Sequence, residues 1–273
     1  MLRFSGAGVS DVGRVREHNE DSAFVGPYVA LVADGVGGAA AGEVASATTA
    51  YVVSATALGR FGEEPELVLL DAVAAARASL AAGVRQDPSR DGMATTLSAV
   101  VCDGHRVVLG HVGDSRVFLL RDGVLSQVSR DHTYVRQLED AGQLSHEAAS
   151  QHPWRNVVLR SVDANPAIDP HDLDLVPLEL HEEDRLLLCS DGLTDLVDTE
   201  RIAEVLRLVD PHSAAAVLTQ SALAAGGRDN VTCVVLDVVE GPRVVGDGRL
   251  LGAVQDAANI VDPALVHLTD RPA

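Results

Sequence analysis

Four aspartates stand where apolar, strand-like runs of the sequence end or begin. They are Asp34 at the end of VALVAD, Asp114 at the end of VLGHVGD, Asp191 at the end of LLLCSD, and Asp229 just before VTCVVL. A carboxylate at the mouth of a buried strand is costly to desolvate unless a cation or an array of hydrogen-bond donors compensates its charge. The sequence therefore predicts that these carboxylates share one cation site.

An Asp-Gly pair taken alone is most simply a turn, because both residues tolerate a positive φ. We accept that interpretation for Asp103-Gly104 and Asp122-Gly123, which separate short strand-like runs. Asp34 and Asp191 differ, because each follows a nearly fully apolar run and leads into glycines or a helical segment. Glycines after an aspartate allow the backbone to approach a cation or a phosphate without a Cβ in the way.

The type of ligand indicates the type of ion. Carboxylate, carbonyl and water oxygens suit hard ions such as Mg²⁺ or Mn²⁺. No Cys or His directly adjoins the four aspartates, which argues against a structural zinc centre. We expect two ions that share a carboxylate. Such a pair, about 3.5 to 4 Å apart, polarises a bridging water towards hydroxide and neutralises a phosphoryl group during in-line displacement.

The N-terminal segment DVGRVREHNEDSA supplies Arg16, Glu20 and Asp21 within six residues. An exposed charged loop is the simplest interpretation of such a segment taken alone, because charge runs are usually solvated. The planar fork of arginine nevertheless matches two phosphate oxygens, and acidic neighbours can hold metal-bound waters through hydrogen bonds. The combination is what a phosphate site beside a metal site needs.

The composition restricts the class of protein. The chain has 273 residues, 47% of them hydrophobic, and a net charge of −19, so it can bury a large core and its field repels nucleic acid and anionic membranes. Cys102, Cys189 and Cys233 lie in apolar runs and predict reduced, buried thiols. We find no signal-peptide pattern and no run that approaches the roughly 20 apolar residues of a membrane span, and we expect a soluble cytoplasmic protein.

Short β-branched runs predict strands, and the longer stretches between them predict helices. The predicted strands are 28–33, 97–102, 106–112, 117–120, 185–189 and 231–238, and the predicted helices are 42–56, 65–84, 133–141, 199–208 and 211–224. The strands cluster apart from the helices, which favours an α+β layered architecture with antiparallel sheets. Residues 240–273 lose the pattern after a Gly-rich stretch, so we expect one domain at 1–239 and a C-terminal extension or tail.

Seven blocks of this sequence occur in the order seen in the metal-dependent (type 2C) protein serine/threonine phosphatases. They are REHNED at 16–21, DGVGG at 34–38, DGMATTLSAV at 91–100, HVGDSR at 111–116, SRDHT at 129–133, SDGLTD at 190–195 and GGRDNVT at 226–232. Seven ordered blocks are far more specific than any one of them. The chain therefore resembles a bacterial member of this family.

The resemblance implies a four-layer αββα sandwich, in which two antiparallel sheets are flanked by helices and a binuclear Mg²⁺ or Mn²⁺ centre lies at one end. By position, Asp34 would bridge both ions and the carbonyl of Gly35 would ligate one of them. Asp191 and Asp229 would ligate the other ion. Asp114 matches an aspartate that can hold a third, weaker ion in bacterial members.

The resemblance also assigns supporting residues. Arg16 matches the phosphate-binding arginine, and Glu20 and Asp21 match acidic positions that hold metal-bound waters. Asn230, beside Asp229, is expected to support the site without binding metal.

Residues 132–165, which we call the flap, resemble a segment that lies beside the active site of bacterial members. Within its HPWRN stretch, Asn156 could reach a third ion or a phosphoprotein, although Trp154 is read equally well as an ordinary packing residue. Loops of this kind usually carry substrate selectivity.

Two positions depart from the family pattern. Val36 replaces the histidine of many eukaryotic members, so the leaving group must be protonated by metal-bound water or another residue, and Ala94 replaces a usual glycine.

The function implied is hydrolysis of phosphoserine and phosphothreonine in proteins by metal-activated water, without a covalent intermediate. Phosphorylated proteins, including serine/threonine kinases or their targets, are the expected partners. The alternative is a phosphatase-like binding or regulatory module that acts on one dedicated phosphoprotein.

His18, His111 and His132 are expected to be structural or exposed, because their spacing in the sequence does not place any of them beside the metals.

Overall fold

The computed structural model describes residues 1–36, 41–165, 172–207, 210–246 and 248–261. Its strands are β1 (Leu2–Asp11), β2 (Asp21–Val25), β3 (Val29–Asp34), β4 (Ala94–Thr95), β5 (Leu97–Cys102), β6 (Val107–Val112), β7 (Arg116–Arg121), β8 (Val124–Gln127), β9 (Val162–Asp163), β10 (Asp174–Leu178), β11 (Arg185–Cys189), β12 (Val231–Glu240) and β13 (Arg249–Gly252). Its helices are α1 (Gly42–Gly59), α2 (Pro65–Gln86), α3 (Tyr134–Asp140), α4 (His146–Ser150), α5 (Asp191–Thr194), α6 (Thr199–Leu206) and α7 (Pro211–Ala224).

Two antiparallel sheets pack face to face at the centre of these elements. One sheet has five strands in the order β1-β12-β11-β7-β8, and the other has six in the order β10-β6-β5-β3-β2-β13. Helices α1 and α2 cover the six-stranded sheet, and α5, α6 and α7 cover the five-stranded sheet. The expected α+β, four-layer sandwich is confirmed.

Alternation of side chains along the central strands builds three apolar layers. In β12, Cys233 and Val235 face the helices, whereas Val234 and Leu236 face the opposite sheet. Because both faces of such a strand are buried, its sequence is a nearly continuous apolar run, which explains why the central strands were predictable. The three cysteines are free and buried, as expected.

The apolar pattern missed the internal strand β2, for which no run was predicted. It also missed the edge strand β1, whose sequence contains two glycines and several polar residues. Strand β1 pairs with β12 along its full length. A Cβ on Gly6 would lie 2.7 Å from the backbone carbonyl oxygen of Val235, so the strand needs a residue without a side chain there. β1 is therefore specified by the strand it pairs with more than by its own propensity.

The predicted helices are present with shifted ends. The predicted bounds of α7 match the structure, whereas α1 and α2 run a few residues further than predicted. The predicted end of α6, at Leu208, lies outside the described residues. Asp103-Gly104 and Asp122-Gly123 form the expected turns, joining β5 to β6 and β7 to β8.

Helix α2 is the one described helix long and apolar enough to cross a bilayer by length and composition, which the sequence expectation overlooked. Its residues Val68, Leu69 and Leu80 are at most 1% exposed and pack in the layer between the helices and the six-stranded sheet. This burial is typical of a core helix.

Part of the predicted C-terminal extension packs on the sandwich. Strand β13 pairs with β2, so that Leu251 faces Ala23 across the two strands. Further on, the backbone N–H of Val261 donates to Thr48 Oγ1 of α1 at 3.0 Å. Residues 249–252 therefore complete an edge of the sheet that also contains Asp21.

Truncation of Leu251 to Ala tests this packing. Leu251 is 5% exposed and lies between the sheets, so Leu251→Ala should lower the free energy of unfolding by about 2–4 kcal/mol in urea titrations. Val245, from the same C-terminal stretch, is 90% exposed, and Val245→Ala should change it by no more than about 0.5 kcal/mol. Equal effects of the two substitutions would contradict the packing of β13.

Candidate metal centre

The predicted acidic residues lie at one end of the sandwich, where strands of both sheets begin or end. Asp21 begins β2 and Asp34 ends β3, and the two are direct cross-strand partners. Asp191 follows β11, Asp114 follows β6, and Asp229 precedes β12. Antiparallel neighbours place the end of one strand beside the start of the next, and this topology brings distant parts of the chain together.

Burial, and then mutual repulsion, raises the pKa values of Asp34 and Asp191. Burial is the main cause of the raised pKa of Asp34, followed by the charges of Asp21, Asp191, Asp114 and Asp229. The pKa of Asp191 is also well above its usual range, because of burial and then the charge of Asp114. Asp34 and Asp191 keep partial contact with solvent although protein surrounds them. The four aspartates singled out from the sequence therefore lie within electrostatic range of one another.

Asp21 and Asp114 are the most enclosed of these groups. Asp21 Oδ2 accepts a hydrogen bond from Ser190 Oγ at 2.7 Å, whereas its Oδ1 has no hydrogen-bond partner among the described residues. Burial raises the pKa of Asp21 to about 6. Burial and then the charge of Asp131 raise the pKa of Asp114 to about 7. A buried carboxylate oxygen without a donor costs free energy that a proton or a cation would recover.

Arg16 lies beside this acidic cluster and pairs with Asp229. Its Nη2 donates to Asp229 Oδ2 at 2.7 Å, and the two side chains are 42% and 39% exposed. The hydrogen bond to Asp229 is the largest cause of the raised pKa of Arg16, followed by an opposing effect of burial. An exposed ion pair of this kind contributes at most about 1 kcal/mol to stability, so a phosphate can compete for Arg16 and a cation can compete for Asp229.

Asn230 holds the loop that carries Arg16 and Glu20. Its Oδ1 accepts from the backbone N–H of Glu20 at 2.8 Å, and its Nδ2 donates to the carbonyl oxygens of Val12 and His18 at 2.9 Å each. Asn230 is 5% exposed. The loop is thereby anchored next to the start of β12.

Glu20 and Gly35 meet near the start of α1. The backbone N–H of Gly35 donates to the carbonyl oxygen of Glu20 at 3.1 Å. A Cβ on Gly35 would lie 2.6 Å from the carbonyl oxygen of the first residue of α1, so the contact requires glycine. Burial and then the charge of Glu43 raise the pKa of Glu20. The glycines at 37 and 38 lie outside the described residues.

Sequence reasoning did not single out Ser190, Asp131 or Asp195. Asp195 raises the pKa of Asp191, and its Oδ2 accepts a hydrogen bond from Asn156 Nδ2 at 3.2 Å. The separation of four residues in the SDGLTD block was the available signal, because it places two side chains on one face of a helix. Asn156 is exposed and stands at the rim of the cluster.

The residues fit a hard divalent cation. The donors are carboxylate oxygens, their charges repel one another, and Asp21 holds a buried oxygen without a donor among the described residues. Within the described part of the chain, no three Asp, Glu, His or Cys side chains are gathered tightly enough to hold an ion as they stand. Arg16 engages Oδ2 of Asp229, so an ion that binds through this oxygen requires that contact to rearrange.

The chain is similar to proteins of known family. Residues 14–224 match the family model described as Protein phosphatase 2C. The serine/threonine protein phosphatase PstP of Mycobacterium tuberculosis is 43% identical over 246 residues, which cover 88% of this chain and 46% of PstP. The serine/threonine phosphatase stp of Listeria monocytogenes is 35% identical over 239 residues, covering 84% of this chain and 93% of stp. The chain thus spans about half the length of PstP and nearly all of stp.

Solved structures show the same fold. The crystal structure of the M. tuberculosis serine/threonine phosphatase PstP/Ppp has 41% identity and a TM-score of 0.77, covering 86% of this chain and 98% of that one. The catalytic domain of PstP in complex with two manganese ions has 40% identity and a TM-score of 0.77, covering 88% of this chain and 100% of that one.

The acidic cluster should make the metal-free protein less stable as pH rises from 6.5 to 8. The pKa of Asp114 is about 7 when folded, above the unfolded value near 4, so the folded state binds more protons and stability falls through this window. Buried His111, whose pKa is lowered to about 4, contributes the opposite slope only below about pH 6.5. Urea titrations in chelator should show a loss on the order of 1–3 kcal/mol.

Asp114→Asn should reduce this loss, whereas Asp122→Asn, in an exposed turn, should leave it unchanged. Saturating Mn²⁺ should stabilise the protein more at pH 8 than at pH 6.5, because cation binding requires deprotonated ligands. Stability that is constant or rises between these two pH values in chelator would contradict the repulsion described above.

Proposed function

Because the chain belongs to the protein phosphatase 2C family, we propose that it is a metal-dependent protein serine/threonine phosphatase that hydrolyses phosphoserine and phosphothreonine. The carboxylate cluster at one end of the sandwich is the observation that carries this proposal. Relatives that match most of this chain are named serine/threonine phosphatases, and one of them has been solved with two manganese ions.

Asp34, Asp191 and Asp229 would hold two Mg²⁺ or Mn²⁺ ions, with Asp34 shared and the Gly35 carbonyl as a further ligand. Asp114 would hold a third ion. When bound, such ions make a hydroxide from water near neutral pH and neutralise charge on a phosphoryl group, so that no covalent intermediate is needed. The raised pKa values of Asp34 and Asp191 support this assignment, since a cation would stabilise the charged forms that the apo cluster disfavours.

Arg16 would bind the phosphoryl oxygens. It is partly exposed beside Asp229, and a guanidinium presents five N–H donors, more than one carboxylate oxygen uses. Glu20 and Asp21 would orient water molecules in the site, and the Oδ1 of Asp21 is an acceptor available for that purpose. Val36 offers no proton, so the leaving alcohol would take its proton from water or from another residue.

The substrates would be phosphorylated proteins, including serine/threonine kinases or their targets. A cleft of about 670 Å³ supports this proposal, because it runs from Asp114 and Asp191 between the flap helices and α6, with Asn156 among its lining residues. We place the phosphatase domain at 1–239, with 240–273 as an extension whose strand β13 adds to the edge of the six-stranded sheet. A cytoplasmic location agrees with three free thiols in a chain without a described disulfide.

Replacing Asp34 or Asp191 by Asn tests the metal assignment. Either change keeps the size of the side chain and removes a charged ligand, so Mn²⁺-dependent kcat/KM on a phosphothreonine peptide should fall on the order of 10³-fold. Asp122→Asn, in an exposed turn, is the matched control and should retain full activity. Near-normal turnover by either active-site variant would overturn the assignment, and Mn²⁺ binding without hydrolysis by the unmodified protein would support a binding module instead.

Arg16→Ala should have opposite effects on the two ligands. Because Arg16 occupies Asp229, its removal should tighten Mn²⁺ binding severalfold in calorimetry. The loss of a phosphate-binding fork should raise KM for the phosphopeptide about tenfold. Arg14→Ala removes an exposed arginine from the same loop and should change neither quantity. Weaker Mn²⁺ binding by Arg16→Ala would contradict the competition.

A further inference from the structure

The two ends of the flap come together at its root. The backbone N–H of Tyr134 donates to the carbonyl oxygen of Val157 at 2.9 Å, and that of Leu159 donates to the carbonyl oxygen of His132 at 2.8 Å. The flap therefore leaves the sandwich and returns to it through one short antiparallel contact, and His132 lies at the sandwich end of this contact.

His132 forms a reciprocal pair with Gly113. The backbone N–H of His132 donates to the carbonyl oxygen of Gly113 at 2.8 Å, and the N–H of Gly113 donates to the imidazole Nδ1 of His132 at 3.1 Å. Because Nδ1 accepts from Gly113, the neutral ring carries its proton on Nε2, which lies 3.0 Å from Asp174 Oδ2 and 2.8 Å from Arg160 Nη1. Burial lowers the pKa of His132, which keeps the ring in the neutral form that this arrangement needs.

Gly113 cannot move away from this contact at low cost. Its φ is +106°, and a Cβ there would lie 2.6 Å from Thr96 Cβ. Thr96 in turn accepts from the backbone N–H of Asp34 through its Oγ1 at 3.0 Å. The turn that begins at Gly113 and continues into Asp114 is thus confined between Thr96 on one side and His132 on the other.

We propose that His132 is a positioning residue that sets the Asp114 turn and couples it to the root of the flap. The flap and Asp114 would then respond together, because His132 bonds to Gly113, next to Asp114, through its imidazole and its backbone N–H, and to Leu159 of the flap through its backbone carbonyl oxygen. The part of this inference that concerns cation binding rests on the proposed function, whereas the coupling between His132 and Gly113 does not. A second tie exists between Arg116 and Asp131, in which the guanidinium donates through Nε at 2.8 Å and Nη2 at 2.6 Å to Asp131 Oδ2. The experiment must therefore separate the imidazole contact from this ion pair.

Two amide variants divide the functions of the ring. In His132→Asn, the amide oxygen can occupy the position of Nδ1 and accept from Gly113, while the contact with Asp174 is lost. In His132→Gln, the amide nitrogen can reach the position of Nε2 and donate to Asp174, while the acceptor for Gly113 is lost. His146→Gln is the matched control, since that flap side chain is 95% exposed.

Hydrogen exchange of the Gly113 amide in metal-free protein gives the primary readout. We expect about tenfold faster exchange in His132→Gln, as for the loss of one buried hydrogen bond, and a rate near that of the unmodified protein in His132→Asn and His146→Gln. Unchanged protection in His132→Gln, or equal loss in both His132 variants, would overturn the proposal. Circular dichroism establishes that each variant is folded.

Manganese titration and kinetics provide the second readout. His132→Gln should weaken the lower-affinity Mn²⁺ site severalfold and lower kcat at limiting Mn²⁺, with partial rescue by excess metal, while His132→Asn should resemble the unmodified protein. If His132→Gln binds Mn²⁺ normally although its Gly113 amide exchanges fast, His132 does not position Asp114, and that part of the proposal is wrong. If the unmodified protein binds Mn²⁺ without hydrolysing the phosphopeptide, the phosphatase proposal fails while the exchange and binding measurements still decide the role of His132.

Discussion

Repulsion between carboxylates at the end of a closely packed sandwich is the constraint on which the rest of the structure depends. Asp21 and Asp34 occupy opposite positions on adjacent strands, where like charges are destabilising, and Asp114, Asp191 and Asp229 add to the same field. The fold places these groups together at a cost to its own stability. Such a cost is typical of a site whose charged form is stabilised by a ligand.

The surrounding framework holds the cluster with neutral groups. Ser190 donates to Asp21, Thr96 bonds to both backbone polar groups of Asp34, and Ser115 contacts Thr96 at 2.6 Å. Hydroxyl groups of this kind orient carboxylates and backbone without adding a positive charge that would remain after a cation binds. The charged partner, Arg16, is instead at the surface, where its contact with Asp229 is weak enough to exchange.

Glycine and buried polar side chains set the distances between segments. Gly35 packs against the start of α1, Gly113 against Thr96, and Asn230 joins the Arg16 loop to β12. None of these contacts lies in the apolar layers, and each joins one element or loop of the site to another. The apolar layers make the sandwich rigid, and these polar contacts fix the position of the site residues relative to it.

The sequence by itself determined most of the central strands, most helices, the family and the acidic residues of the site other than Asp131 and Asp195. Strands buried on both faces leave continuous apolar runs, and aspartates that interrupt such runs are conspicuous. Only the tertiary structure decided that β1, β2 and β13 are strands, because their pairing with neighbouring strands specifies them. It also decided that Asp21 directly opposes Asp34, that Arg16 pairs with Asp229, and that the imidazole of His132 accepts a hydrogen bond from the backbone N–H of Gly113. The geometry of these contacts follows from strand register and from packing between segments, which local residue patterns do not encode.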